Sequence, residues 1–274
     1  MRYLWVVIVT FFFSSAITYA RDNSAQRIVS LAPSLTEELY LLGVEDKISG
    51  VTTYCLRPAS ARKKEKVGTV TDVSIEKIVS LCPDLVLTTS LTNPKAIEKI
   101  KNLGIKVVNF PQAESFAQLC AQFLKLGKLV GKEREAEEIT KKAKERADVI
   151  KEEALKLSKP KVFIQIGARP LFTATNKSFL NDFIEFAGGI NIASGAKAGL
   201  YSYEKVLQSN PDIIIIAAMG IAGEEKKVWE KYKSLNAVKN KRIYIIDSDK
   251  FCSPTPKSFI EALEEIVDIL HPEK

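Results

Sequence analysis

The side chains able to do bond-breaking chemistry are few and poorly spaced for it. The chain has one histidine, His271, near its end, and four cysteines, Cys55, Cys82, Cys120 and Cys252. Serine–histidine catalysis would have to be built around that terminal residue, and no G-x-S-x-G elbow occurs. No Cys-x-x-Cys or Cys/His spacing for zinc is present, and transition-metal sites normally draw on imidazoles. The expectation is no catalytic residue, no metal site and no resident cofactor, with an exported hydrolase as the rival reading. What remains is contact chemistry. Tyr54, Phe172, Tyr201 and Phe251 fall in or beside predicted loops, where rings can wall a flat ligand. Arg57, Arg169 and Lys250 lie near them and can meet phosphate, carboxamide or carboxylate groups. Each ring could equally be core, and each cation could equally be solvated loop charge. Cys55 and Cys252 occupy predicted loops too, as free small residues, as bonded thiols, or as soft ligands of a bound metal. Cys82 and Cys120 fall on predicted helices as buried, inert thiols.

Positioning these residues requires two similar units, because one stretch occurs twice. Ser74-Ile-Glu-Lys-Ile-Val-Ser-Leu-Cys-Pro-Asp-Leu-Val-Leu87 returns as Ser202-Tyr-Glu-Lys-Val-Leu-Gln-Ser-Asn-Pro-Asp-Ile-Ile-Ile215 at a constant offset of 128. Each copy reads as a serine cap, a short apolar-faced helix, a Pro-Asp break and a buried strand. Two copies so far apart imply two lobes rather than a solenoid.

Around them strands alternate with helices. Strands are expected at 27–31, 48–53, 84–88, 105–110, 162–166, 212–217 and 242–247. Helices are expected at 35–42, capped by a Ser34/Glu37 box, and at 94–103, 115–130, 179–187, 224–233 and 257–270, with 247–256 a loop. Residues 132–158 lack Gly and Pro and are rich in Ala, Glu and Lys, which predicts one long helix between the lobes. The fold class is α/β: two lobes with parallel-type sheets joined by that helix. The division is 21–131, 132–159 and 160–274. Ligands of such sheets bind beyond the carboxyl ends of the strands, so the site belongs in the cleft between the lobes.

Residues 1–20 read as a cleavable signal peptide, with Arg2, an uncharged apolar run from Leu4 to Phe13, and a small residue, Ala20. No cysteine follows the run, so a soluble periplasmic protein is expected. The formal charge is +7, mild and interspersed. No basic block with interleaved aromatics marks a nucleic-acid surface.

Arg27-Ile-Val-Ser-Leu-Ala-Pro-Ser-Leu-Thr-Glu37 resembles the opening of the class III substrate-binding proteins of ABC transporters, and the paired Glu-Lys … Pro-Asp motif is similar to theirs. Thr53-Tyr-Cys-Leu-Arg-Pro58 resembles the Tyr-Cys-x-x-Pro loop of the cobalamin-binding branch, as do Pro170-Leu-Phe-Thr-Ala174 and Ala187-Gly-Gly-Ile-Asn-Ile192. The resemblance implies a monomeric periplasmic receptor that captures a corrinoid and passes it to an inner-membrane permease. Ferric siderophore and haem binders share the scaffold. It also implies that Glu76 and Glu204, one on each lobe, dock on permease arginines.

Overall fold

A computed structural model describes residues 24–217 and 222–273; the expected signal peptide lies outside the described residues. The first sheet holds β1 (Ile28–Ser30), β2 (Ile48–Val51), β3 (Leu85–Thr89) and β4 (Lys106–Phe110), all parallel, in the order β2-β1-β3-β4. The second holds β5 (Lys161–Ala168), β6 (Leu171–Thr173), β7 (Ile190–Asn191), β8 (Ile213–Ile216) and β9 (Ile243–Ile245). Its order is β6-β5-β8-β9, with β7 also on β5, and only β6 runs antiparallel. Strands β7, β5, β8 and β9 thus repeat the plan of β2, β1, β3 and β4. Side chains alternate between faces as strand geometry demands. Leu85 and Leu87 enter one cluster and Val86 the other; Ile213 and Ile215 oppose Ile214 and Ile216. Both faces are covered, which is why these strands are continuously apolar.

The helices are α1 (Pro33–Leu41), α2 (Ile75–Ser80), α3 (Pro94–Asn102), α4 (Phe116–Val130), α5 (Glu133–Ala154), α6 (Phe179–Phe186), α7 (Tyr203–Ser209), α8 (Ala222–Trp229), α9 (Asn236–Lys239), α10 (Ser248–Cys252) and α11 (Pro256–Leu270). Several differ from expectation. Helix α1 has no Ser34/Glu37 box: Ala32 is the N-cap, without a side-chain cap, and Pro33 opens the helix. Proline suits that first position, where its missing N–H has no partner to lose. The 247–256 loop contains α10, capped by Asp247, which accepts from the Asp249 and Lys250 amides. Helix α8 lies earlier than the expected 224–233, and α5 stops at Ala154 rather than Ser158.

The repeat behaves alike in both copies. Ser74 Oγ accepts from the Lys77 amide at 3.2 Å and Ser202 Oγ from the Lys205 amide at 3.3 Å. The Pro-Asp does more than break the helix. Asp84 accepts from the Gln26 and Arg27 amides at 2.7 and 3.1 Å, and Asp212 from the Lys161 amide at 2.9 Å. Each aspartate therefore ties its strand to the entry of the lobe's first strand.

Two helices carry the connection. In α5, Ala136 packs in the first lobe's core, whereas Ala143, Ala147 and Ile150 pack in the second's. In α4 the sense is reversed: Phe116, Leu119 and Cys120 enter the second core, and Phe123, Leu126 and Val130 the first. Phe116 stacks on Phe259 of α11 at 4.3 Å. The lobes thus share apolar packing along an antiparallel helix pair.

Candidate functional site

The loops at the carboxyl ends of the strands form the candidate site, and one contact ties them across the lobes. Arg57, in the loop after β2, donates to the Asp249 carbonyl at 3.0 Å and pairs with Glu37 at 3.0 Å. Burial raises the Glu37 carboxyl above its ordinary value, with Arg57 opposing. Arg57 is thus held as a strut between the loops that follow β2 and β9, rather than left free for a ligand.

Tyr54 stands beside this strut with 57% of its surface exposed. Cys55, expected to face the cleft, is instead fully buried beneath it. Its sulfur lies 3.1 Å from Thr36 Oγ1 and 3.2 Å from Thr52 Oγ1, and Thr36 Oγ1 lies 2.9 Å from Ser30 Oγ. Buried polar atoms need such partners, and this cluster fixes the loop that presents Tyr54. Leu56 and Leu91, 40% and 64% exposed, extend the first lobe's apolar rim. Leu91 carries no aromatic, charged or thiol group to mark it in the sequence; its place just after a repeat strand is the available signal.

In the second lobe Phe172 lies on the β5–β6 hairpin. Its ring covers Gly167, where a Cβ would come within 3.2 Å of it, and its backbone bridges Leu200. Phe172 and Leu200 are both exposed. Arg169, at the hairpin turn, is exposed and makes no hydrogen bond or ion pair with the described residues. It is the uncommitted one of the three candidate cations. Lys250 lies 3.9 and 4.0 Å from Glu261 and Glu265 and lines a groove between β9 and α11.

Two expected ring walls turn inward. Phe251 is 2% exposed and stacks on Phe183 at 4.4 Å, so it belongs to the core. The α10 turn, unforeseen in the sequence, points it there. Tyr201 is half-buried, donates to the Ile192 carbonyl at 3.1 Å and packs 5.8 Å from Phe163.

All four cysteines are free. Cys82 is exposed in a turn with φ 46°, not buried on a helix. Cys120 is buried, and desolvation pushes its thiol up to about 12; burial does the same for Cys252. Such thiols are poor ligands and poor nucleophiles. Among the described residues no group of three or more His, Cys, Asp and Glu is placed to hold a metal ion, and no helix is long and apolar enough to cross a membrane. His271 is buried with Nε2 2.8 Å from the Ala187 carbonyl.

Glu76 and Glu204 are exposed in the first turns of α2 and α7. Each carboxyl is held below its ordinary range by its own backbone N–H and the neighbouring capping serine. Both therefore place a negative charge at the surface, one on each lobe.

A family model described as periplasmic binding protein matches residues 28–250. An uncharacterised ABC transporter substrate-binding lipoprotein of Bacillus subtilis is 32% identical over 90% of this chain and 81% of its own. A possible iron-binding, periplasmic solute-binding protein from Staphylococcus epidermidis superposes with TM-score 0.80 at 30% identity, over 90% of this chain and 99% of that one. The periplasmic vitamin B12-binding protein of Vibrio cholerae superposes with TM-score 0.78 at 25% identity, over 90% and 97%.

Proposed function

The chain belongs to the periplasmic binding protein family, and we propose that it captures a corrinoid, cobalamin-like ligand between its lobes. The observation that carries this reading is the Tyr54 loop: a largely exposed ring on a loop fixed from below by the Cys55 cluster. A rigid aromatic wall suits a bulky flat macrocycle, because little ordering remains to be done on binding. Phe172 and Leu200 supply an apolar surface on the second lobe. The vitamin B12-binding relative supports the corrin assignment. In this reading the protein is a binding protein rather than an enzyme. It works as a monomer in the periplasm after removal of residues 1–20 and docks on an inner-membrane permease through Glu76 and Glu204.

A second reading, ferric siderophore or haem, is favoured by one feature. The Arg169 guanidinium at the turn of the Phe172 hairpin, without a hydrogen bond or ion pair among the described residues, suits a ligand with a carboxylate or other anion at its edge. Calorimetric titration of the protein with cyanocobalamin, cobinamide, hemin and a ferric siderophore separates the two. Tight binding of cyanocobalamin or cobinamide is the expected result. Tight binding of hemin or the siderophore alone replaces the corrinoid reading with the second one.

A further inference from the structure

One buried polar chain is used neither by the cleft nor by the docking surface. Gln165 of β5 is fully buried. Its Nε2 donates to Glu225 Oε2 at 2.8 Å, and its Oε1 accepts from Trp229 Nε1 at 2.6 Å. Tyr203 OH donates to the same Glu225 oxygen at 2.9 Å, and its ring lies 4.7 Å from that of Trp229. Glu225 is 4% exposed, and among the described residues no ion pair accompanies its two donors. A carboxylate in such a place is unfavourable without its hydrogen bonds, so the three donors and acceptors hold one another in place.

Two members of this chain, Gln165 and Tyr203, lead to the two surfaces assigned above. Gln165 belongs to the strand that turns at Arg169 into the Phe172 hairpin, and pairs with Thr173 of that hairpin. Tyr203 is the first residue of α7 and immediately precedes Glu204. A second link runs along the backbone: the Tyr201 amide donates to the Leu171 carbonyl at 3.1 Å, just before the Ser202 cap. In the first lobe the matching residue is Ile75, packed against an apolar cluster of Val29, Leu31 and Ile78. That lobe has the Gly68–Val73 backbone bridge before Ser74 and an exposed side-chain link, in which Lys77 of α2 donates to the Lys66 carbonyl at 3.1 Å and lies 3.7 Å from Glu65.

We propose that the Trp229–Gln165–Glu225–Tyr203 chain couples the cleft hairpin of the second lobe to the docking turn at Glu204 through a buried side-chain link, where the first lobe has an exposed one. Tyr203 and Glu225 act as positioning residues: they touch neither ligand nor permease but transmit a displacement of the hairpin to α7. The proposal rests on the docking role given to Glu204 and deepens it.

Amide hydrogen exchange in a double-mutant cycle tests it without any ligand. The hairpin is disturbed by Phe172→Ala in the wild-type background and in Tyr203→Phe. The expected result is that Phe172→Ala speeds exchange of the α7 peptide at least about threefold in the wild-type background, and less than half as much with Tyr203→Phe. Glu225→Gln, which keeps an acceptor for Tyr203, should preserve the full response, and the α2 peptide should not respond in any variant. Equal responses of α7 in both backgrounds, or none in either, overturn the proposal. Should Tyr203→Phe fail to fold, the cycle is run with Glu225→Leu, which removes the acceptor shared by Gln165 and Tyr203, and the same criteria apply. The docking reading fails separately, if Glu204→Arg leaves binding to permease-bearing membrane vesicles unchanged.

Discussion

Ile75 and Tyr203 occupy the same place in the two copies of the repeated segment, one residue after the capping serine, yet they face different interiors. Ile75 packs on an apolar cluster, whereas Tyr203 hydrogen-bonds to a buried glutamate. Outside, the copies agree: serine caps, first-turn glutamates of lowered pKa and strand-tying aspartates recur in both. The buried carboxylates deepen the contrast. Glu225 in the second lobe accepts from two donors, but Glu38 of α1 in the first lobe is fully buried with no hydrogen-bond partner for Oε2. The proposed docking on one permease accounts for a duplicated surface, and under it each interior needs only to support its own cleft wall.

If the duplicated surface is what the permease reads, both lobes must contribute to delivery. Reversing the charge at Glu76 and Glu204 together should reduce ligand uptake into permease-containing vesicles at least about tenfold. Ligand affinity, measured by calorimetry, should stay within about twofold. A matching fall in affinity would place these residues in the pocket.

The contrast between buried glutamates is sharpened by pH. Burial pushes Glu38 up to about 8, with Glu37 adding to the effect. The unfolded chain deprotonates this group near its ordinary value of 4.5, so between there and about pH 8 the folded state binds the extra proton. Stability from this group is therefore present at low pH and is lost as pH rises through that window. Glu38→Gln should remove this slope and raise stability at pH 7 by about 2–3 kcal/mol. Urea unfolding at pH 5 and pH 8 checks it, and a wild-type slope unchanged in the variant would refute it.

The shared role of the two aspartates predicts equal losses. Asp84→Ala and Asp212→Ala should each lower stability by about 1–2 kcal/mol, since the first leaves two strand-entry amides, and the second one strand-entry amide and the Asn236 side chain, without a charged acceptor. Thermal unfolding of the single variants would show whether one lobe depends on its tie more than the other.

The smallest effect comes from the left-handed residue that ends each repeat helix. Cys82 and Asn210, 128 apart, have φ 46° and 45°. Asparagine tolerates this region better than cysteine. Cys82→Asn should therefore stabilise by about 0.5–1 kcal/mol, and Asn210→Cys should destabilise by a similar amount, both read from urea midpoints.

Much of the fold was legible because local chemistry and long-range packing agreed. Isoleucine runs bounded by Pro-Asp gave buried parallel strands, and serine before an apolar stripe gave real caps at Ser74, Ser178 and Ser202. Helix α10 was hidden because Ser-Asp-Lys-Phe-Cys carries turn chemistry and is too short to show a period. The site was harder to read. Loop position identified Tyr54 and Phe172, but ring type alone does not tell a wall from a core residue, as Phe251 and Tyr201 demonstrate. Arg57 looked free because its carbonyl partner at Asp249 lies 192 positions away, beyond any local pattern. Arg169 looked the same in sequence and has no hydrogen bond or ion pair among the described residues.

The account stands most directly on the claim that both lobes grip one ligand. The affinity of cyanocobalamin for the wild-type protein, Tyr54→Ala and Phe172→Ala should be measured by calorimetry under one set of conditions. Each substitution should weaken binding at least about tenfold, or about 1.4 kcal/mol, with thermal stability nearly unchanged because both rings are exposed. Unchanged affinity in either variant would contradict a cleft closed between the two lobes.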